Sequence, residues 1–91
     1  MDYRRAEGMT WDVADDRAVI LDAQGATLTT LNPVGTLLWV ALDEPLPATE
    51  LTALLVEHFP EIDQEQLRAD VDAFLDSLLA EGLVVDVSTA A

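Results

Sequence analysis

Apolar and polar residues alternate along the N-terminal part of the chain, a pattern that predicts short strands. Residues 9–13 place three apolar side chains two positions apart, the period of a half-buried strand. Residues 17–22 hold an aliphatic run between turn residues, and residues 26–31 place a leucine between threonines. Because only short turns separate these segments, we expect an antiparallel three-stranded sheet.

The spacing of apolar residues then changes to that of helices. Asn32 and Pro33 suit the cap and the first position of a helix that extends to Ala41. Residues 43–47 contain two prolines and are predicted to form a loop, because proline interrupts a helix. A second helix follows and ends before Pro60.

A third helix is predicted over residues 64–81. Asp63 and Gln66 resemble a capping box at its start, and Gly82 is suited to end it. Residues 83–87 are largely apolar and are expected to pack as a short extended piece. The predicted fold class is therefore α+β, with a three-stranded antiparallel sheet followed by three helices.

The third helix has one apolar stripe and a second apolar flank. The stripe is expected to be core: Leu67, Val71, Phe74 and Leu78. Leu75 and Leu79 widen it toward a flank shared with Arg68 and Asp72. Two interpretations follow: Leu75 and Leu79 belong to the core, or they line an apolar groove open to a partner.

The length of the chain, 91 residues, suits one small domain. We place that domain at residues 9–87, with flexible segments at residues 1–8 and 88–91. No apolar run is long enough to cross a bilayer, and the first residues do not resemble a signal peptide. The chain has no cysteine, and we expect a cytoplasmic protein.

The net charge narrows the choice of partners. Eighteen acidic and four basic residues give a charge of −14. This charge opposes contact with DNA, RNA or anionic lipid, and it favours encounter with a basic partner. The alternative is that the acidic surface only keeps the protein soluble.

The sequence contains no recognisable catalytic grouping. His58 is the only histidine, and it lies near the end of the second helix, where a protonated ring would favour the helix dipole. Thiolate ligands, a glycine-rich phosphate loop, the spacing of a calcium loop and a serine nucleophile motif are all missing. We therefore expect neither enzymatic activity nor a cofactor or metal site.

Five segments resemble the PqqD family in their order and spacing. They are Leu-Asn-Pro-Val-Gly-Thr-Leu-Leu-Trp at 31–39, Glu-Leu-Thr-Ala-Leu-Leu at 50–55, Phe-Pro at 59–60, Val-Asp-Ala-Phe-Leu-Asp-Ser-Leu at 71–78 and Glu-Gly-Leu-Val at 81–84. The resemblance extends over about residues 17–85. It departs at residues 45–47, where Pro-Leu-Pro replaces the family's Asp-Gly and Thr or Ser cap, which affects the shape of one loop rather than the fold.

The resemblance implies a recognition element for ribosomally made precursor peptides, with a winged helix-turn-helix-like fold. Members of the family bind the leader of a precursor as an added strand against their third strand, beside the third helix. Free-standing members of this size, with Leu-Asn-Pro and Leu-Trp segments like those of this chain, resemble the leader-binding subunits of lasso peptide biosynthesis. Those act beside a leader peptidase of cysteine-protease type and an ATP-dependent macrolactam cyclase. The alternatives are presentation of a peptide to a radical enzyme in quinone cofactor synthesis, and a structural or dimerisation module.

The predicted leader site lies between the third strand and one flank of the third helix. Residues 26–31 carry no charge or proline that would protect a strand edge, although a covering loop would explain this equally well. Asp72 and Asp76 are expected to hold basic residues of the leader at the rim. The full set is Ala26, Thr27, Leu28, Thr29, Thr30, Leu31, Arg68, Asp72, Leu75, Asp76 and Leu79.

A winged-helix protein that binds nucleic acid is the rival from another class. It would need a basic recognition helix. Residues 63–81 contain one arginine and six acidic residues, so the composition of the third helix opposes this function.

Overall fold

The computed structural model describes residues 2–87, which form two antiparallel sheets and three helices. The fold is α+β, as the sequence predicts. The elements are β1 (Asp2–Arg5), β2 (Thr10–Ala14), β3 (Arg17–Leu21), β4 (Leu28–Thr30), α1 (Pro33–Ala41), β5 (Leu46–Pro47), α2 (Ala48–His58), α3 (Gln64–Ala80) and β6 (Val84–Asp86).

The first three predicted strands form the sheet β2-β3-β4, with both pairings antiparallel. A two-residue turn joins β2 to β3, and both of its residues, Asp15 and Asp16, have positive φ. Aspartate tolerates this conformation better than most residues, and such turns match the twist of a hairpin. Ala18 and Ile20 of β3 are fully buried and anchor the sheet on the helices.

A second sheet, of order β5-β1-β6, was not anticipated. The expectation of a flexible segment at residues 1–8 is wrong for Asp2–Arg5, which pair with β5 on one side and β6 on the other. The end of the predicted loop at 43–47 is strand β5. The partners of β1 lie far along the chain, so its own sequence carries no local signal. The predicted flexible segment 88–91 lies outside the described residues.

Capping residues set the starts of α1 and α3. Asn32 Oδ1 accepts a hydrogen bond of 2.7 Å from the Gly35 N–H, as expected of an N-cap. Asp63 caps α3 through a longer contact of 3.4 Å to the Glu65 N–H. The predicted capping box is incomplete, because the Gln66 side chain donates to Asp70 at 3.0 Å.

The core lies between β3, the three helices and β6. The buried side of α3 differs by one residue from the predicted stripe, since Leu75 is only 3% exposed and Phe74 is half-buried. The interpretation of Leu75 as core is therefore the correct one. The buried residues of α3 are Leu67, Val71, Leu75 and Leu78.

An arginine between two tryptophans connects the two sheets to α1. The Arg5 guanidinium carbon lies 4.7 Å from the ring centroid of Trp11 and 5.7 Å from that of Trp39. The rings of Trp11 and Trp39 meet edge to face, with centroids 6.0 Å apart. Arg5 also donates to Asp43 at 2.8 Å. These contacts hold β1, β2 and α1 together through cation–π attraction and packing.

Candidate functional site

Strand β4 is an edge strand, because within residues 2–87 it pairs only with β3. The hydrogen bonds of an antiparallel pair point alternately to either side of a strand. The Leu31 N–H donates to the Ala18 carbonyl at 2.8 Å, and the Thr27 carbonyl accepts from the Asp22 N–H at 3.1 Å. Residues 27, 29 and 31 therefore direct their main-chain groups at β3.

The intervening residues direct theirs away from the sheet. By this alternation, the N–H and C=O groups of Leu28 and Thr30 face the open side of β4. The Leu28 side chain is 65% exposed. No charged side chain or proline occurs in β4. The edge therefore offers main-chain donors and acceptors with the spacing that an added strand requires.

A groove of about 410 Å³ begins where β4 ends. One wall is formed by the end of β4 and the first half of α1, and the other wall is a face of α3. Leucine, valine and phenylalanine side chains contribute apolar surface, and Asp70 is the charged residue among those lining it. The lining residues are Thr30, Leu31, Asn32, Val34, Gly35, Leu38, Asp70, Ala73, Phe74, Ser77 and Leu78.

Gly35 allows α1 to begin close to α3. A Cβ atom at this position would lie 3.1 Å from Asn32 Oδ1 and 3.6 Å from Cδ1 of Phe74. The first distance is tighter than an ordinary contact, and the oxygen concerned is the one that caps the helix. A side chain at position 35 would also extend into the groove. The glycine therefore keeps the groove open and the cap in place.

The turn before β4 is fixed by Asp22. Its Oδ1 accepts a hydrogen bond of 2.8 Å from the Ala26 N–H, and the Gly25 N–H donates to its carbonyl at 3.0 Å. The hydrogen bond from the Ala26 backbone is the main reason that the pKa of Asp22 lies below its usual value. This turn sets where the edge strand begins.

The structure divides the predicted site residues among separate places. Thr30 and Leu31 line the groove, and Leu28 lies on the open edge. Thr29 directs its main chain at β3, and Thr27 and Thr29 border a smaller depression of about 240 Å³ near the end of α3. Ala26 is exposed in the turn.

The predicted residues of α3 do not face β4. Arg68 and Asp72 border a depression beside the first half of α2. Asp76 is exposed and outside the lining of the groove, Leu75 is in the core, and Leu79 is half-buried against it. The leader site predicted along this flank stays a prediction, because the flank does not line the groove beside β4. The opposite flank of the same apolar stripe lines it.

Sequence reasoning missed several residues of the groove. The Leu-Asn-Pro-Val-Gly segment was a usable signal for the α1 wall, because a cap followed by a glycine marks a close approach. The α3 wall had no such signal, since both flanks of the stripe carry apolar and acidic residues. The missed residues are Asn32, Val34, Gly35, Leu38, Asp70, Ala73, Phe74, Ser77 and Leu78.

Residues 2–87 contain neither a cluster of metal-ligating side chains nor a helix suited to span a membrane. Within this range, no group of three or more His, Cys, Asp or Glu side chains is arranged to hold a metal ion. No helix in the same range is long and apolar enough to span a membrane.

Comparison with known proteins adds a family and a fold. The family model described as coenzyme PQQ synthesis protein D (PqqD) matches residues 17–84. No curated protein matches the sequence. A solved structure described as TbiB1 in complex with the TbiA(beta) leader peptide aligns with a TM-score of 0.80 over 89% of this chain and 93% of its own. At 23% sequence identity, this likeness establishes a shared fold.

Proposed function

This chain belongs to the PqqD family, and from that premise we propose that it binds the leader segment of a ribosomally made precursor peptide. The open edge of β4 beside the groove is the observation that carries the proposal. An extended peptide added to this edge would bond to the main-chain groups of Leu28 and Thr30. The complex of the structural relative TbiB1 with a leader peptide supports the same function.

The groove would supply the sequence preference. Main-chain bonds along β4 are available to any extended peptide, so affinity from the edge carries little specificity. A side chain that enters the groove would contact Leu31, Leu38 and Phe74 and remove apolar surface from water. We therefore propose that an apolar or aromatic leader residue occupies the groove.

The proposed role is delivery rather than catalysis. The bound leader would present the precursor to a leader peptidase of cysteine-protease type and to an ATP-dependent macrolactam cyclase in a lasso peptide pathway. The resemblance of the Leu-Asn-Pro and Leu-Trp segments to leader-binding subunits of such pathways supports this assignment. The hairpin β2–β3 and the packed pair α2 and α3 favour a winged helix-turn-helix-like description. We propose that the protein acts in the cytoplasm, where precursors are synthesised.

Proline at the edge of β4 tests the mode of binding. A peptide of about twelve residues is selected from a random display library on the purified protein, labelled with fluorescein and titrated by polarisation. Thr30→Pro removes an outward N–H and places a ring where the added strand would lie, so it should weaken binding at least about tenfold. Thr30→Val keeps the N–H and is the matched control, with affinity expected within about twofold.

Thr30→Pro should fold, because the outward N–H of Thr30 makes no bond to β3, and circular dichroism and urea unfolding check this. Equal affinity of Thr30→Pro and Thr30→Val for the peptide would refute strand addition. The pathway is tested separately by the neighbouring genes. A short precursor beside a peptidase and an asparagine-synthetase-like protein supports the lasso assignment, and a radical enzyme in their place contradicts it.

A further inference from the structure

We infer that Asp70 selects a lysine or arginine of the leader, placed next to the apolar residue that enters the groove. This inference rests on the proposed function and adds to it the chemistry of one leader position. It replaces the expectation that Asp72 and Asp76 hold the basic residues of the leader. Three observations support it: the position of Asp70 in the groove, its lack of a cationic partner among the described residues, and the unfavourable loss of water from its carboxylate when a peptide docks.

Asp70 lies on the α3 wall, one helical turn before Phe74. The residues four apart on a helix share a face, so the carboxylate and the phenyl ring are neighbours along the groove. Asp70 is half-buried, whereas Asp72 and Asp76 are exposed and outside the lining. A leader side chain in the groove would therefore bring its neighbours within reach of Asp70.

Among residues 2–87, the Asp70 carboxylate has one neutral hydrogen-bond partner. Gln66 Nε2 donates to Oδ1 of Asp70 at 3.0 Å, which fixes the orientation of the group along the helix. The ion pair that the structure gives within residues 2–87 joins Arg5 to Asp43. Arg68, the basic residue of α3, belongs to the depression on the opposite flank. Asp70 thus has no cationic partner among the described residues.

A docked peptide would cover this carboxylate and remove water from it. A charge that loses water without gaining a partner opposes binding, whereas a charged hydrogen bond offsets that cost. A neutral donor would satisfy one oxygen, but the net charge of −14 favours a cation at the same place. The leader residue that best satisfies Asp70 is therefore a lysine or an arginine.

The test is a comparison of display selections on three purified proteins. The probe is a random library of peptides of about twelve residues, selected on the wild type, Asp70→Asn and Asp76→Asn. Each variant removes one negative charge from α3, so the two are matched in net charge. The amide introduced by Asp70→Asn keeps an oxygen that can accept from Gln66, so the helix should be undisturbed.

Peptides selected on the wild type and on Asp76→Asn should carry a basic residue at one fixed spacing from an apolar residue. This preference should disappear on Asp70→Asn. In titrations of one selected peptide, Asp70→Asn and replacement of the peptide's basic residue by norleucine should each weaken binding about five- to tenfold. The two changes together should weaken it little further, because they remove one interaction.

Asp70→Lys should select peptides with an acidic residue at the same spacing. A purely structural role of Asp70 would not reverse the charge preference of the selected peptides. Loss of the basic preference on Asp76→Asn, or no positional preference on the wild type, would overturn the inference. Peptides that bind through the β4 edge but lack the preference would contradict the inference alone. Peptides whose binding is unaffected by Thr30→Pro would contradict the proposed function as well.

Discussion

Phe74 and Leu75 are adjacent in α3 but occupy different environments, so Leu75→Ala should lower stability without changing peptide affinity, whereas Phe74→Ala should lower both. Leu75 is 3% exposed within the core, and a buried Leu→Ala change costs about 2–5 kcal/mol. We expect about 3 kcal/mol, a large part of the roughly 5–10 kcal/mol that a domain of this size has. The melting temperature should fall by about 15 °C.

Phe74 is half-buried and lines the groove. A Phe→Ala change at a fully buried position lowers the free energy of unfolding by about 3–5 kcal/mol. Because Phe74 is only half-buried, Phe74→Ala should lower it by about 2 kcal/mol. Unlike Leu75→Ala, Phe74→Ala should also weaken peptide binding. Loss of about 80 Å² of apolar contact corresponds to about 2 kcal/mol, or at least tenfold in the affinity for a selected peptide.

Urea unfolding measures the first quantity and fluorescence polarisation the second, with the slope of the unfolding transition confirming that each variant unfolds cooperatively. Leu75→Ala, measured well below its unfolding midpoint, should retain the wild-type affinity within about threefold. Weaker binding by folded Leu75→Ala together with unchanged binding by Phe74→Ala would refute the assignment of the groove to this face of α3.

Two further predictions concern the contacts that hold β1 and β4. Arg5→Met removes a guanidinium from between two tryptophan rings and should lower the free energy of unfolding in urea by about 1 kcal/mol. Asp43→Asn, at an 89%-exposed side chain, should lower it little. Equal losses in the two variants would contradict the cation–π assignment. Because folding lowers the pKa of Asp22, its carboxylate stabilises the fold above the ordinary value of 3.8, and this contribution is lost as the pH falls through the lowered value. Wild type should therefore lose more stability than Asp22→Asn between about pH 5 and about pH 2.5, and parallel urea midpoints over this range would exclude the proposed role of Asp22.

Local signals in the chain predict those elements whose stabilising contacts are near in sequence. Asn32 and Pro33 mark the start of α1, and Gly82, with a φ of +74°, ends the turn after α3. The hairpin between β2 and β3 follows from alternation and a two-residue turn. The sheet containing β1 was missed because its strands pair across 40 or more positions of sequence, from Asp2 to Pro47 and from Tyr3 to Asp86.

The candidate site shows the same division between near and distant contacts. The sequence alone predicted an uncharged strand within residues 26–31, which the structure has at Leu28–Thr30, and one apolar stripe on α3 with a flank on either side. Helical periodicity places residues around their own axis and says nothing about which neighbour lies on which flank. Only the tertiary structure decided that β4 and α1 meet the flank of Asp70, Phe74 and Ser77. It also decided which main-chain groups of β4 remain open, because that alternation depends on the register with β3.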